Sequence, residues 1–273
     1  CIYFFISYDV GVLRMLAEER KNEIIDLINK NKIMKVSELS QLLNATEVTI
    51  RKDLEELQVQ KKLRRIHGGA ISVAPVNKEV SDTQLITSCI EEKKAIANYA
   101  YKFIDNNDAL ILDNSTTVYE LAKLILKGPL QNLTVITNSL RLVSLLKARK
   151  DTQLILIGGQ IINSMNRTCG PLANKMLHDI RGDKCFIGIS GIDSSYGYSD
   201  PNLSDGDLKS SMFRASKQKF VLADHTKFNE SYIGKAADFT GCVDYLITDT
   251  LPHNIDRGLY DACVNFIIID ELD

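Results

Sequence analysis

Apolar positions in the first part of the chain repeat at the spacing of α-helices. Over residues 16–31, one helical face carries Leu16, Ile24, Leu27 and Ile28. The segment KVSELSQLL predicts a shorter second helix, whose inward face carries Val36, Leu39, Leu42 and Leu43. Asn44 and Ala45 then break the pattern, and Thr46 is placed to cap a third helix.

The third predicted helix, EVTIRKDLEELQVQ, has two faces of different chemistry. Its buried stripe consists of Ile50, Leu54 and Leu57, at the spacing i, i+4 and i+7. Its outward positions carry Thr49, Arg51, Lys52 and Glu56. Two short helices joined by a tight turn, the second cationic on its outer face, are the arrangement of a helix-turn-helix.

A basic hairpin is predicted directly after this helix. In KKLRRIHGGAISVA, a small hairpin fits Leu63, Ile66 and Ala70, with Gly68 and Gly69 at the turn. A basic hairpin behind a recognition helix is a wing, so residues 15–71 are interpreted as a winged helix-turn-helix domain. Residues 72–88 contain a proline and many polar side chains without a period, and they are interpreted as a linker.

From residue 89 onward, strand and helix patterns alternate. Near-continuous apolar strands are predicted in DALILD, LTVIT, TQLILIGG, KCFIGIS, KFVLAD, DYLITD and VNFIIID, with helical segments between them. Such strands are typical of a parallel sheet that is covered on both faces. The predicted fold class is therefore α/β, with the winged helix-turn-helix domain followed by a parallel-sheet domain at residues 89–273.

The distribution of charge tells more than its total. The chain of 273 residues has a formal net charge of -2, so no global basicity indicates nucleic-acid binding. Within residues 51–65, however, cations cluster as Arg51, Lys52, Lys61, Lys62, Arg64 and Arg65. DNA binding requires such a local footprint, but a solvated surface would look similar, so the charge alone leaves both interpretations open.

Cysteine use and hydropathy indicate the compartment. The six cysteines are scattered without a C-x-x-C motif, which is typical of reduced thiols in the cytoplasm. No apolar run reaches the length of a membrane span. Met15 resembles a natural start, so residues 1–14 are interpreted as an upstream extension.

Polar and glycine residues follow several predicted strands of the second domain. In open α/β sheets, ligands bind beyond the carboxyl ends of the strands. These ends carry Asp113 to Thr117, Thr137 to Ser139, Gly158-Gly159, Asp193, Asp224 and Lys227. Hydroxyls and helix-start N–H groups stabilise anions, and Lys209 and Lys227 add the charge that a phosphate prefers. The pattern predicts a phosphate-containing ligand.

Two alternatives stay open at this point. Thr117 and Glu120 have the spacing of a capping box, which would satisfy the helix start without a ligand and leave Ser115 and Thr116 free. Asp113, Asp193 and Asp224 could serve as a general base in a sugar-phosphate isomerase or could bind sugar hydroxyls. No catalytic triad, Walker loop, dinucleotide motif or zinc spacing is present, so no catalytic residue, cofactor or metal is assigned.

Several motifs resemble those of the DeoR family of bacterial transcriptional regulators. TIRKDLEEL followed by RIHGGA resembles the family's DNA-binding domain. LILDNSTTVYELAKLI, LTVITNSL, LILIGGQ, FIGISGID and FVLADHTKF resemble its sensor domain, so that the resemblance covers about residues 15–270. It implies a sensor domain similar in fold to ribose-phosphate isomerases, which binds sugar phosphates without converting them.

The resemblance also implies site residues. The expected DNA contacts are Ser37, Thr46, Thr49, Arg51, Lys52, Arg64, Arg65 and His67. The expected effector contacts are Asp113, Ser115, Thr116, Thr117, Thr137, Asn138, Ser139, Gly158, Gly159, Gly170, Asp193, Lys209, Asp224 and Lys227. The chain departs from the family in NLSDGDLKSSM, where the family usually has a glutamate-rich stretch leading into the helix. The shorter acid Asp205 and the helix-weakening Gly206 are expected to affect the orientation of Lys209.

Together these features predict a cytoplasmic repressor of a carbohydrate operon. Its expected partners are double-stranded operator DNA and a phosphorylated sugar, with no membrane contact. One small module makes few base contacts, so a homo-oligomer, a dimer or tetramer, is expected to read repeated half-sites. The alternative function is an isomerase-type enzyme with an appended DNA-binding or dimerisation module.

Overall fold

The structure is a computed structural model that describes residues 17–31, 33–60, 62–66, 68–72, 82–162, 165–253 and 255–271. The chain divides into two compact units, Cys1–Pro75 and Val76–Asp273. His67, one of the expected DNA contacts, lies outside the described residues, as do residues 1–16 and most of the predicted linker. The domain boundaries given above stay a prediction.

The first unit is a winged helix-turn-helix. Its elements are α1 (Ala17–Asn31), β1 (Ile33–Lys35), α2 (Val36–Leu42), α3 (Glu47–Val59), β2 (Leu63–Ile66) and β3 (Gly69–Ser72). The three strands form an antiparallel sheet in the order β1-β3-β2, in which β2 and β3 are the predicted hairpin. Strand β1 was not predicted, because three residues carry no readable period.

Its core follows the predicted stripes with one correction. The buried side chains include Ile24, Ile28, Val36, Leu39, Ile50, Leu54, Leu57 and Leu63. Leu42 was predicted to point inward, but it is 63% exposed. The buried face of α2 runs through Val36 and Leu39 to the partly buried Leu43, and Leu42 falls beside that line. Thr46 caps α3 as predicted, since its hydroxyl accepts the Thr49 N–H at 3.3 Å.

Ion pairs hold α1 against α3. Arg20 Nε lies 2.6 Å from Asp53 Oδ2, and the two side chains are only 14% and 5% exposed. Lys21 Nζ lies 2.7 Å from Glu56 Oε2. Asp53 belongs to the TIRKDLEEL motif, yet it points into the unit and away from solvent. This residue of the motif therefore contributes to the packing of the domain.

The second unit is built on a parallel sheet. Its helices are α4 (Asp82–Thr87), α5 (Ile90–Tyr101), α6 (Thr116–Lys127), α7 (Leu140–Leu146), α8 (Pro171–His178), α9 (Leu203–Arg214) and α10 (Arg257–Asp261). Its strands are β4 (Ala109–Leu112), β5 (Thr134–Thr137), β6 (Gln153–Leu156), β7 (Gln160–Ile162), β8 (Arg167–Cys169), β9 (Gly182–Gly188), β10 (Gly191–Asp193), β11 (Gly197–Asp200), β12 (Ser216–Leu222), β13 (Gly234–Ala237), β14 (Tyr245–Thr248) and β15 (Asn265–Ile268).

The predicted sheet and its two covered faces are confirmed. Seven parallel strands lie in the order β15-β14-β12-β9-β4-β5-β6. Neighbouring residues of one strand point to opposite faces. Ile111 and Cys185 accordingly belong to one buried cluster, whereas Leu112 and Phe186 belong to the other. The α/β fold class follows from this arrangement.

A small antiparallel sheet, β10-β11-β13, lies against α9. Two glycines allow this close approach. A Cβ on Gly206 would lie 2.5 Å from the Gly234 carbonyl carbon, and a Cβ on Gly234 would lie 2.2 Å from the Asn202 oxygen. Gly206, which was expected to weaken the helix of Lys209, is the residue that lets this helix pack on β13.

We expect Gly206→Ala to destabilise the sensor unit, although alanine favours a helix by about 1 kcal/mol over glycine. Its Cβ would meet backbone that cannot rotate away, and overpacking costs about 1–3 kcal/mol. Gly258→Ala is the matched control, because the nearest atom to its Cβ, at 3.4 Å, is an Asp256 side-chain oxygen. Urea unfolding should show a lower midpoint for Gly206→Ala alone. Equal midpoints would contradict the packing role.

Two further features concern the residues that the structure describes. None of their helices is both long and apolar enough to cross a bilayer. Nowhere in the same residues do three or more His, Cys, Asp or Glu side chains gather as metal ligands. Cys89, Cys169, Cys185, Cys242 and Cys263 are free thiols, of which Cys169 and Cys185 are buried.

Candidate functional site

A cavity lies beyond the carboxyl ends of strands β4, β9 and β12. It is lined by the start of α6, by the ends of the strands and by charged side chains from α5, β8, β11 and α9. The polar and charged residues of its lining are Lys93, Asn114, Ser115, Thr116, Thr117, Arg167, Ser190, Asp200, Asp205, Lys209, Asp224, Lys227 and Tyr232. This is the place where an open α/β sheet binds its ligand.

The first turn of α6 forms one wall. Ser115 caps the helix, since its hydroxyl accepts the Val118 N–H at 3.2 Å, and Asp113 Oδ1 accepts the Ser115 N–H at 3.1 Å. The predicted capping box of Thr117 and Glu120 is therefore wrong. The hydrogen bond from the Ser115 N–H to Asp113 fixes the turn earlier, and Thr117 lies inside the first helical turn.

This capping leaves donors at the cavity. The first N–H groups of a helix have no partner within the helix. Val118 and Tyr119 donate to the side chain and carbonyl of Ser115, which leaves the N–H groups of Thr116 and Thr117 at the positive end of α6. Both residues line the cavity. This wall can therefore accept an anion.

Gly188, at the end of β9, lets the α6 start come close to the sheet. A Cβ at Gly188 would lie 2.3 Å from both Cβ and Oγ of Ser115. Its carbonyl also accepts a hydrogen bond from Lys209 Nζ at 2.9 Å. Gly188 was not among the residues expected at the site, although the glycines in FIGISG mark a tight strand end.

Lys209 is the centre of a buried ionic cluster. Its ammonium lies 2.8 Å from Asp200 Oδ2 and 3.4 Å from Asp113 Oδ2. Burial opposes its charge, but Asp200 and Asp113 raise the pKa of Lys209 above its ordinary value. Burial raises the pKa of Asp200, against the pull of Lys209 and of the Ser190 hydroxyl. Asp113, Asp200 and Lys209 thus form a cluster that we call the Lys209 cluster.

Arg167 and Asp205 form a second pair at the cavity. Arg167 Nε donates to Asp205 Oδ1 at 2.7 Å, and a second guanidinium N–H donates to the other carboxylate oxygen. The Arg167 side chain is almost fully buried. Asp205, the residue in the departure from the family motif, therefore fixes α9 to β8. Arg167 was missed because its partner lies far along the chain.

Asp224 and Lys227 form another part of the lining. The Asp224 carboxylate caps the turn His225–Lys227 by accepting the Thr226 N–H at 3.0 Å. Burial would raise the pKa of Asp224, but Lys227 and the bonds from Thr226 hold it below its ordinary value. Lys227 Nζ lies 3.6 Å from Asp224 Oδ2. The cavity thus combines carboxylates with a wall that can accept an anion.

The loop Thr137 to Ser139 does not line this cavity among the described residues. Its hydroxyls serve their own turn, because Thr137 Oγ1 accepts the Ser139 N–H at 3.0 Å and Ser139 Oγ caps α7. Asn138 donates its amide to the Thr168 carbonyl at 3.0 Å. Through Asn138, the loop therefore binds β8, the strand that carries Arg167.

Five other expected effector residues lie away from the described lining: Asp113, Gly158, Gly159, Gly170 and Asp193. Asp113 is fully buried behind the start of α6. A Cβ on Gly159 would lie 2.5 Å from the Cys169 carbonyl oxygen. Gly170, with φ 91°, precedes α8. Asp193 accepts the Ser195 N–H at 2.8 Å. For Gly159, Gly170 and Asp193 these local contacts account for the residue type.

In the first unit, the outer face of α3 is the candidate nucleic-acid interface. The hydroxyls of Thr46 and Thr49 lie 2.9 Å apart, and Arg51 pairs with Glu47 at 2.6 Å. Exposed residues of the expected set also include Ser37, Lys52, Arg64 and Arg65. Arg65 lies 3.0 Å from Glu55, so it bridges the wing to α3.

One exposed residue of this face, Val48, was not among the expected DNA contacts. Val48 lies in the first turn of α3 and is 75% exposed. An apolar side chain at the start of a recognition helix is suited to contact a thymine methyl group. No hydrophobic period marks it, because it faces neither the core nor a neighbouring helix.

Comparisons with known proteins agree with this architecture. Residues 20–76 match the family model of the DeoR-like helix-turn-helix domain, and residues 88–250 match that of the DeoR C terminal sensor domain. The chain is 36% identical over 236 residues to the HTH-type transcriptional regulator YulB of Bacillus subtilis, covering 86% of this chain and 90% of YulB.

Two more comparisons concern function and fold. The chain is 31% identical over 259 residues to the HTH-type transcriptional repressor GlcR of Bacillus subtilis, covering 95% of this chain and 98% of GlcR. Ribose 5-phosphate isomerase A of Methanocaldococcus jannaschii is 15% identical, with a TM-score of 0.35 over 50% of this chain and 53% of the isomerase. The similar full-length proteins are named as regulators of transcription and not as enzymes. This chain belongs to the DeoR family of transcriptional regulators, with an N-terminal helix-turn-helix domain that binds DNA and a C-terminal sensor domain for a small-molecule effector.

Proposed function

We propose that the effector of this regulator is a phosphorylated sugar, and that its binding releases operator DNA upstream of a carbohydrate operon. One observation carries the proposal. The cavity of the sensor unit joins the open start of α6 to a set of buried carboxylates. A phosphate suits the first part and sugar hydroxyls suit the second, so one ligand with both groups satisfies the whole cavity.

The phosphate is proposed to bind the start of α6. The N–H groups of Thr116 and Thr117 supply hydrogen bonds and the positive end of the helix dipole. Lys227, whose side chain is 21% exposed, is the more accessible of the two lysines proposed as effector contacts, since that of Lys209 is 10% exposed. Lys209 is already paired with two carboxylates, so Lys227 is the better placed of these two lysines to add positive charge beside the phosphate.

The sugar hydroxyls are proposed to bind the opposite part of the lining. Asp200, Asp205 and Tyr232 present oxygen atoms at the cavity. Charge-assisted hydrogen bonds from hydroxyls to carboxylates are strong. The same carboxylates would repel a second phosphate, so the proposed effector carries one phosphate.

The regulatory consequence is proposed as well. An effector shifts DNA binding only if it binds one arrangement of the protein more tightly than another. We propose a repressor that acts in the cytoplasm as a dimer or tetramer, since one helix-turn-helix reads too few bases for specificity.

The proposal is tested by ligand and DNA binding of the full chain. A panel of pentose and hexose monophosphates is screened by thermal shift, with the unphosphorylated sugars as controls. A ligand at 100 times its Kd stabilises by about 2.7 kcal/mol. The same compound should release the DNA upstream of the protein's own operon in fluorescence anisotropy. Equal shifts with the unphosphorylated sugars, or steady turnover of the compound, would refute the proposal.

A pair of variants locates the phosphate. Thr116→Pro removes one N–H donor at the first position of α6, where proline is tolerated. The preceding Ser115 has φ -65° and ψ 154°, which suits a following proline. Thr116→Ala keeps the N–H and is the control. We expect Thr116→Pro to weaken the phosphosugar at least tenfold more than Thr116→Ala, about 1.4 kcal/mol in binding free energy.

Arg51→Ala tests DNA reading. We expect a loss of about 1–3 kcal/mol in operator affinity and relaxed preference at one base position. Glu47→Gln is the control, because it frees Arg51 from its 2.6 Å ion pair and should leave affinity unchanged or higher. Anisotropy with operator and scrambled DNA measures both variants. Unaltered affinity and sequence preference in Arg51→Ala would exclude base contact by Arg51.

A further inference from the structure

Lys93, in α5, joins the effector cavity to the beginning of the sensor unit. Its side chain is buried, and Nζ donates to the Leu85 carbonyl at 2.5 Å and to the Ser88 carbonyl at 2.6 Å. Leu85 lies in α4 and Ser88 directly after it. In the sequence, α4 follows the residues that connect the sensor to the helix-turn-helix. The ammonium of Lys93 therefore binds carbonyls at the C-terminal end of α4, the first described helix after that connection.

The same ammonium lies at the cavity. Lys93 and Leu85 both contribute to its lining, beside Asp224 and Lys227. Burial lowers the pKa of Lys93, against the attraction of Asp224, because its two close partners are neutral carbonyls. An ammonium has three donors. Two are used, and the third has only the Ser88 hydroxyl at 3.4 Å among the contacts of the described residues.

The turn between α4 and α5 is strained at one residue. Cys89 has φ 48° and ψ 44°, a left-handed conformation that a residue with a Cβ rarely adopts. Such a conformation persists only where neighbouring contacts hold it. The two Lys93 bonds span this turn, since they join α5 to carbonyls on its other side. Release of Lys93 would therefore loosen α4.

We propose that Lys93 is a positioning residue that couples effector binding to the docking of α4. An anion in the cavity accepts the third donor and adds negative charge beside the ammonium, while both carbonyl bonds remain. Effector binding thus strengthens the attachment of α4 and, by reciprocity, attached α4 raises effector affinity. This inference rests on the proposed function only in that the effector is an anion.

Hydrogen exchange of the full chain tests the coupling at residues 82–88. The probe is the monophosphate with the largest thermal shift in the panel above. In the unaltered protein we expect the probe to slow exchange of this segment about fivefold or more, the lower range of allosteric couplings. Lys93→Met should exchange faster without ligand and show no further slowing with it. Lys94→Met is the control, because Lys94 is exposed and pairs with Glu91 at 2.8 Å.

A second variant separates charge from attachment. Lys93→Gln keeps an N–H donor for a carbonyl but has no charge, so α4 should stay partly protected while its response to the probe is lost. If Lys93→Met does not fold, Lys93→Gln alone tests whether Lys93 couples the probe to exchange at residues 82–88. A thermal shift without any change in exchange at residues 82–88 overturns the coupling and leaves the proposed function standing. The absence of a shift with every monophosphate overturns both, and a response retained in Lys93→Gln overturns the role of Lys93.

Discussion

Lys209→Met is expected to lower the free energy of unfolding of the sensor unit by about 3–5 kcal/mol at pH 7, the range for breaking a buried ion pair. Methionine fills a similar volume but leaves two carboxylates, Asp113 and Asp200, without their cation at 1% and 6% exposure. It also removes the donor to the Gly188 carbonyl. Because Gly188 packs against Ser115, the start of α6 should lose its position and the protein its response to monophosphates.

The destabilisation caused by Lys209→Met should be larger at neutral pH than at acidic pH. Burial raises the pKa of Asp200 above its ordinary value even with Lys209 present, and removing Lys209 raises it further. An acid whose folded-state pKa lies above its unfolded value opposes folding above the folded pKa, and this penalty shrinks as the pH falls toward the unfolded pKa. Lys209→Met should therefore be less destabilised at pH 5 than at pH 7, relative to the unaltered protein.

Urea unfolding at the two pH values measures this effect. Lys217→Met is the matched control, since Lys217 also pairs with an aspartate at 2.8 Å but its side chain is 73% exposed. Exposed ion pairs are screened by water, so this variant should unfold at the midpoint of the unaltered protein. A Lys209→Met protein as stable as the control would show that the Lys209 cluster does not stabilise the sensor unit.

The sequence predicts the parts of this structure that repeat locally. Ile50, Leu54 and Leu57 are buried as their spacing indicates, and the seven parallel strands follow from apolar runs between helices. Buried apolar side chains recur along each helix or strand at a fixed spacing, and this spacing can be recognised in the sequence before the fold is known. The position of the cavity was also predictable, because the carboxyl ends of parallel strands meet at one edge of the sheet.

The residues inside the cavity were harder to predict. Arg167 and Asp205 are 38 positions apart, and no local pattern marks either as the partner of the other. Thr117 was assigned as a helix cap by spacing, but the nearby bond between Asp113 and Ser115 fixed an earlier start. Thr137 and Ser139 are chemically suited to a phosphate, yet their hydroxyls complete their own turn. Long-range pairing and competition between local caps decided these cases.

Asp53→Asn is expected to unfold much of the helix-turn-helix unit while the sensor unit stays folded. It breaks the mostly buried pair with Arg20, whose Nε lies 2.6 Å from the carboxylate, and it leaves the guanidinium without its counter-charge. We expect a cost of about 3 kcal/mol, the lower end of the range for such pairs, since Arg20 keeps some contact with water. A domain of this size is only marginally stable, so the loss removes DNA binding.

A double variant distinguishes structure from DNA contact. Arg20→Met with Asp53→Leu replaces both charges by apolar groups, which is often neutral or stabilising at buried pairs. It should restore folding of the unit and operator binding in anisotropy. Glu47→Gln breaks the exposed pair with Arg51 and should leave stability unchanged.

These outcomes decide whether Asp53, one of the three acidic residues of the TIRKDLEEL motif, contacts DNA or only stabilises the domain. If the double variant folds but does not bind DNA, then Asp53 or Arg20 acts on DNA and the buried pair is not merely structural. If it folds and binds, the role of Asp53 is to fix α3 against α1. The geometry favours the second outcome, because Asp53 is 4% exposed whereas Thr49, Arg51 and Lys52 face outward from the same helix. In that case the inner face of α3, through Asp53, fixes the orientation of the helix, and the outer face, with Thr49, Arg51 and Lys52, contacts DNA.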